Sequence, residues 1–584
     1  KINIHETRRD CHTVSGTGNL FPYLFANTNR NISTFLIFNS KPFKFLNHKM
    51  KLCSRKHSME TMTFITVVAS ITFLTFSEGN HISLNIPLAK RELTNKRPTF
   101  EEYKGQRKNF ILSEERRFLG ANLTLTADEQ TVNKYIMRLK QEELAKGFND
   151  SYNFIPARHY FEMLDRFEKS KLFRVIRRLP KGGVLHAHST ALGNVQLMVN
   201  ATYRENLWQL GGFGNIPGPK FKFSKKKPGH GWSLVSEVRK SITDKVYDAK
   251  IAELFSLYNA DPLNAYKSLD KVWGKFESLF TCLKPIITYE PVLRQYYRNS
   301  LQQFYDDNVQ YLEFRASLSA VYDLEGKIYS REEIVQMFYD DTELFKRTHP
   351  TFIGVKLIYA PARYMNDEGL QKVLQTTKQL HSKFPSFLAG FDLVGQEDPG
   401  RALFEFAPAL LALPKPINFF FHAGETNWFG MKSDENLIDA VLLGTKRIGH
   451  GFAALKHPNI LKEIKRRNIC IEINPISNQI LKLVQDLRNH PAALLFSDNY
   501  PVVVSSDDPA FWQATPLSHD FYLAFIGIAS ARQDLRLLKK LALNSIEYSA
   551  MNRKEKLEAL KKWKLTWHEA MKVLALDIVA GKLQ

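Results

Sequence analysis

The sequence predicts an α/β chain folded as a (β/α)8 TIM barrel, with a helical extension before it and an inserted module after the first strand. Three observations carry this. Eight short apolar, β-branched runs recur: Val184–His188, Val309–Ala316, Phe352–Tyr359, Phe387–Val394, Ile417–His422, Lys446–Gly449, Cys470–Asn474 and Val502–Ser506. Helical patterns fill the gaps, as at Arg331–Thr348, Asp367–Lys383 and Glu435–Leu443. The runs are nearly continuously apolar, the pattern of a parallel sheet buried on both faces. Eight such units suit a barrel; an open doubly wound sheet is the alternative.

Residues 1–79 stand apart. The chain opens on Lys1, and residues 1–49 are rich in Asn, Phe and Thr without sustained periodicity. They read as upstream sequence, with initiation at Met50, Met59 or Met62. Lys51, Arg55 and Lys56 then precede an apolar run from Met62 to Phe76, and Ser77 and Gly79 offer small residues for cleavage. That run is short for a membrane span and suits a secretory signal peptide; a signal anchor is the alternative. The expectation is a secreted, extracellular protein, in keeping with N-x-S/T sequons at Asn122, Asn149 and Asn200. No other stretch is long and apolar enough to span a bilayer.

Composition excludes more than it selects. Hydrophobic content of 44% and charged content of 24% are ordinary for a soluble globular protein. The net charge of +22 favours anionic surfaces such as glycosaminoglycan, nucleic acid or acidic lipid, without choosing among them. The four cysteines, Cys11, Cys53, Cys282 and Cys470, form no C-x-x-C, which excludes cysteine zinc sites and thioredoxin chemistry.

Residues 80–180 are expected to be helical, from periodic stretches at Arg116–Ala145 and Phe161–Leu179 with a break at Asp150–Pro156. Such an extension packs on the main domain or on a second subunit. The barrel domain is expected over 181–580. Within it, residues 195–265 read as an inserted module. Its glycines at 211, 212, 214 and 218 complete no G-x-G-x-x-G, so a dinucleotide site is not indicated. Lys220, Lys222, Lys225, Lys226 and Lys227 then form a basic loop. It is either a solvated loop or a binding element for a polyanion or receptor.

The chemistry collects at the carboxyl ends of the runs, where parallel barrels carry function. The first ends His186-Ala187-His188, and in a strand residues i and i+2 share a face, so two imidazoles aim at one point. Alone, that pair is better explained by ordinary polar residues at a strand end. The fifth run ends in His422-Ala423-Gly424-Glu425, the sixth in Gly449-His450-Gly451 and the eighth in Ser505-Ser506-Asp507-Asp508-Pro509. Each has a plain reading: a core histidine, a turn, a helix cap beside proline. One ion site explains all four together. His186, His188, His422 and Asp507 make a sound zinc set, three histidines and a carboxylate. His450 is placed to hold or deprotonate a water, Glu425 to donate a proton, and Asp508 to accept a hydrogen bond from substrate. Such a site performs hydrolytic attack on an electrophilic carbon.

The order H-x-H, H-A-G-E, G-H-G and S-S-D-D-P resembles the adenosine deaminases, and wider segments resemble their secreted branch, the adenosine deaminase growth factors. These are Pro180–Gly183, Val272–Glu277, Gly390–Gly395 and Cys470–Gln479, and the likeness runs from about Glu92 to Trp563. It implies one zinc per subunit and hydrolysis of adenosine or 2′-deoxyadenosine to the inosine product and ammonia. His186, His188, His422 and Asp507 match the zinc ligands. Glu425 matches the proton donor to purine N1, His450 the residue that positions or activates the zinc hydroxide, and Asp508 and the Gly395 backbone the base contacts. Trp273, Gly274, Lys275, Phe276, Glu277 and Phe280 match a substrate-pocket helix. The resemblance also implies a homodimer built partly by the N-terminal helices, and assigns the 195–265 insertion to receptor binding.

Two positions depart from that branch. Ser189 stands where an aspartate usually contacts the ribose hydroxyls, and Ala362 where a histidine often lies near substrate. Both imply altered ribose recognition, since serine hydrogen-bonds but carries no charge. They also motivate the competing expectation of a non-catalytic extracellular growth factor or purine-binding ligand, acting through a receptor or polyanion. The intact Glu425, His450 and Asp508 set argues against it.

Overall fold

The computed structural model describes residues 97–214 and 218–583; the expected leader and signal peptide, with Cys11 and Cys53, lie outside the described residues. Eight parallel strands form the centre: β1 Gly182–Val184, β2 Val309–Ala316, β3 Gly354–Tyr359, β4 Leu388–Phe391, β5 His422–Ala423, β6 Arg447–His450, β7 Cys470–Ile473 and β8 Val502–Val504. Regular pairing gives two four-stranded halves, β1 to β4 and β5 to β8. Single bridges join them. Phe391 N donates to Asn418 O at 2.9 Å at one seam, and Asp507 N donates to His186 O at 3.0 Å at the other. The sheet therefore closes into a barrel, and the open-sheet alternative is set aside.

The seams shorten two strands against expectation. Around Ile417–Phe421 pairing is broken to isolated contacts, such as Lys446 N to Phe419 O at 2.8 Å. In the first run, regular pairing stops at Val184. Leu185 N turns to Ser505 Oγ at 3.2 Å, and Ala187 and His188 bridge to Asp507 and Arg315. The backbone there leaves the ladder to carry the histidines, with its polar groups still satisfied.

Helices fall where local signals put them. Those at Arg331–Thr348 and Asp367–Lys383 begin at Ser330 and Asn366, whose side chains accept from Glu333 N and Gly369 N. Of the 80–180 region, residues 80–96 lie outside the described residues; from residue 97 it is largely helical, but the Arg116–Ala145 stretch is broken. One helix covers Phe100–Arg117 and another Ala127–Asn149, each opened by a capping box, Thr99 with Glu102 and Thr126 with Glu129. Between them Gly120 has φ +83°, and a Cβ there would lie 2.4 Å from the Arg536 carbonyl. The Ala127–Asn149 helix packs along the last helix, Arg553–Val579, where Glu129 bonds Trp567 Nε1 at 2.6 Å.

The 195–265 segment is folded. Leu207–Leu210, Lys220–Phe223 and Trp232–Leu234 form an antiparallel sheet. Lys220 and Lys222 therefore belong to a strand and not to a loop: they face out while Phe221 and Phe223 are buried on the other face. Lys225 pairs with Glu325 at 2.5 Å. Cys282 and Cys470 are both free. Among the described residues no helix is long and apolar enough to cross a membrane.

Candidate active site

The strand ends bring four histidines and two aspartates to one point. Donor atoms of His186, His422, His450 and Asp507 lie within 4.8 Å of one another, and those of His188, Asp507 and Asp508 form an overlapping group. Asp507 is the hub. Its Oδ1 lies 3.0 Å from His188 Nε2 and 3.3 Å from His186 Nε2, and its Oδ2 lies 3.8 Å from His450 Nε2. His450 and Asp507 hold φ of +62° and +58°, a left-handed conformation that non-glycine residues adopt at a cost and that here aims both side chains inward.

Two of the imidazoles are oriented by buried carboxylates. His186 Nδ1 donates to Glu472 Oε2 at 2.7 Å, and His422 Nδ1 donates to Asp392 Oδ2 at 2.6 Å. Arg315 ties these carboxylates together, Nε to Asp392 at 2.7 Å and NH2 to Glu472 at 2.8 Å. With Nδ1 engaged, each Nε2 presents a lone pair toward Asp507. His186 Nε2 is buried and has no hydrogen-bond partner. Imidazoles with a carboxylate-bound Nδ1, together with a further carboxylate, are a donor set that can hold a metal cation. Burial pushes His188 down and His422 down to about 3, so both are neutral at ordinary pH.

Two further carboxyls shift upward. Burial, then the charges of Asp507 and Glu397, push Glu425 well above the ordinary range. Its Oε1 has no hydrogen-bond partner, so it is a buried neutral acid with a proton to give. Glu397 fixes it in place, accepting from Gly424 N at 3.1 Å and Glu425 N at 2.7 Å. Burial beside Asp507 also pushes Asp508 up. A neutral Asp508 presents an O–H donor, where the sequence had suggested only an acceptor.

These groups open on a cavity of about 370 Å³. Trp273, Phe276, Glu277 and Phe280 form one wall, spaced as one face of the Leu269–Ile287 helix. Gly274 and Lys275 were expected with them and do not line the cavity. At 100° per residue they turn away, and a Cβ on Gly274 would meet nothing within 4 Å. Gly395 lines the cavity at φ +102°, where a Cβ would press on the Tyr364 ring at 2.9 Å. Ala362 lines it as well. Ser189 instead lines an adjoining chamber of about 180 Å³, which shares His188, Phe280, Ser317 and Val394 with the main cavity. The two departures thus sit on either side of a common wall.

The supporting carboxylates Asp392, Glu472 and Glu397 were not singled out from sequence. Their signal is a charge inside an otherwise apolar run, as in Cys470-Ile471-Glu472-Ile473, where an unpaired charge would be costly.

The chain matches the adenosine deaminase family over residues 256–564 and the adenosine/AMP deaminase N-terminal family over residues 67–176. It is 68% identical to an adenosine deaminase of Aedes albopictus over 526 residues, covering 90% of this chain and 98% of that protein. It is 39% identical to adenosine deaminase 2 of Homo sapiens, over 79% of this chain and 92% of that protein. Among solved structures, an amidohydrolase from Burkhoderia ambifaria, with bound Zn, superposes with a TM-score of 0.50 at 18% identity, covering 70% of this chain and 96% of that one. That last likeness concerns the fold. The strand-end cluster, the barrel that carries it and the near-full-length matches lead to one conclusion: this chain is an enzyme of the adenosine deaminase family.

Proposed function

We propose that the chain hydrolyses adenosine or 2′-deoxyadenosine to inosine or 2′-deoxyinosine and ammonia, with one zinc ion per subunit held by His186, His188, His422 and Asp507. One observation carries this reading: a buried neutral acid, Glu425, stands beside an oriented cluster of histidines and Asp507 on a cavity with one aromatic wall. Zinc in that cluster supplies a Lewis acid that makes water nucleophilic near neutral pH.

The residues divide the remaining work. Trp273, Phe276 and Phe280 bury the purine and exclude water from it. Glu425 protonates N1, which draws electron density from C6. Asp508, neutral in its buried place, donates to a ring nitrogen and fixes the base in register. His450 holds the attacking water. The water oxygen bonds to C6, and one water proton passes to the exocyclic amino group; the bond from C6 to that nitrogen then breaks and ammonia leaves, while the other water proton returns Glu425 to its acid form. Ser189 and Ala362 bring no charge to the walls around the sugar, so the ribose hydroxyls contribute less to binding than the base does.

The test is turnover. The zinc-loaded chain should convert adenosine to inosine with one ammonia per inosine, read from the ultraviolet spectrum. No turnover of adenosine, 2′-deoxyadenosine or related aminopurines would sink the proposal.

Export from the cell belongs to the same reading. Asn122, Asn149 and Asn200 are exposed and open to glycosylation. Expression in a secreting host should place the chain in the medium with a glycosidase-sensitive mobility; retention in the cell would count against it. A homodimer, and glycosaminoglycan or receptor binding through Lys220–Lys227, complete the proposal. Heparin retention unchanged after neutralising those lysines would remove that surface.

A further inference from the structure

His450 is held from behind by a short relay. Its Nδ1 faces Asn478 Nδ2 at 3.1 Å, with Asn474 Nδ2 behind at 3.4 Å. Asn478 Oδ1 faces His490 Nε2 at 2.9 Å. His490 Nδ1 accepts the backbone N–H of Ala492 at 3.0 Å. All of these side chains are buried.

The far end decides the near end. A backbone N–H can only donate, so His490 Nδ1 must carry a lone pair. Its hydrogen is then on Nε2. That N–H needs an acceptor, which fixes the Asn478 amide with its oxygen toward His490. The amide NH2 therefore faces His450, and His450 Nδ1 must accept. Burial holds His490 down to about 3, so it stays in this single neutral form.

We propose that Asn478 and His490 are positioning residues that lock His450 in the tautomer with its hydrogen on Nε2. His450 then meets the reacting centre as a hydrogen-bond donor and not as a proton acceptor. The lock also sorts the histidines. His450 belongs to the compact donor group with His186, His422 and Asp507, but a nitrogen that bears hydrogen has no lone pair for a cation. His188, 3.0 Å from Asp507, takes the fourth place. Glu425 Oε1 also lies 3.5 Å from His450 Nδ1. In its neutral form Glu425 can donate to that nitrogen, which works in the same sense.

The inference rests on the reading of His450 as facing the reacting water, and its test is independent of turnover. Neutron diffraction on the deuterated, zinc-loaded chain should show deuterium on Nε2 of both His450 and His490, and none on Nδ1 of either. Deuterium on His450 Nδ1 would overturn the lock while leaving the deaminase reading intact; absence of turnover would do the reverse.

Variants supply the functional arm. Asn478→Asp offers His450 Nδ1 a carboxylate, which favours the opposite tautomer, and should lower kcat about 10- to 100-fold with KM little changed. His490→Leu, which lets the amide turn, should fall in the same range. His490→Gln keeps a donor for Asn478 Oδ1 and should recover most of the activity. Zinc content should stay the same throughout. Full kcat in Asn478→Asp, or zinc loss that accounts for its deficit, would contradict the proposal.

Discussion

Glu425 is the residue whose environment says most about its task. Buried beside Asp507 and Glu397, it is held neutral, and its Oε1 is unpartnered until a substrate arrives. Glu425→Gln keeps the shape and removes the proton. The expected result is a loss in kcat on the order of 10²- to 10⁴-fold with zinc content unchanged, measured by steady-state kinetics and metal analysis. Retained turnover would assign proton donation elsewhere. Behind the cluster, Asp392 and Glu472 hold the Nδ1 atoms of His422 and His186. Asp392→Asn should weaken zinc affinity about 10- to 100-fold, read by titration against a metal buffer; unchanged affinity would deny it that supporting part. The inward-facing histidines and Asp507 were legible in the sequence because each ends an apolar run. Asp392 and Glu472 were less so, because their importance lies in which strand stands beside which, and spacing along the chain does not state that.

The Leu269–Ile287 helix shows how an element divides its own residues. Trp273, Phe276, Glu277 and Phe280 face the cavity; Gly274 is exposed in mid-helix and faces away. Gly274→Ala should raise stability by about 0.5–1 kcal/mol through the unfolded chain's lost freedom, and leave kcat/KM unchanged. A changed kcat/KM would return Gly274 to the pocket wall. Gly120 gives the opposite sign. With φ +83° and the Arg536 carbonyl in the way, Gly120→Ala should cost about 1–3 kcal/mol in denaturant titration while activity per folded molecule is kept. Helix bounds were well read from sequence at Arg331–Thr348 and Asp367–Lys383, because their N-caps are local. The break at Gly120 and the shortening of β1 and β5 were not, because packing against Arg536 and the two barrel seams involve residues far apart in the chain.

At the scale of the molecule, the described residues close into a barrel, and a histidine buried outside its mouth leaves a pH signature. His519 is buried against Phe167 and Phe173, its Nδ1 accepts from Thr515 N at 3.0 Å, and burial pushes it down to about 3. The folded state keeps this imidazole neutral while the unfolded chain protonates it below about 6.5. Its contribution is therefore complete above about pH 6.5 and is lost as pH falls toward about 3, at about 1.4 kcal/mol per pH unit. His519→Gln should flatten the fall in unfolding free energy between about pH 6 and pH 4 by that slope, measured by denaturant titration. An unchanged slope would mean that His519 is not held neutral. The barrel, the order of its units and the position of its mouth could be read from the alternation of runs and helices. The folded sheet within 195–265 could not, because its strands are short and its alternation looks like that of a basic loop.

If the strand-end cluster and Glu425 act together on the purine of adenosine, both products are directly visible. The most direct measurement is the ultraviolet spectrum of adenosine incubated with the zinc-loaded chain, with ammonia assayed in parallel. The expected result is complete conversion to inosine with one ammonia per inosine, abolished in Glu425→Gln although its zinc is still bound. Adenosine and 2′-deoxyadenosine left unchanged by a chain that carries its zinc would contradict it.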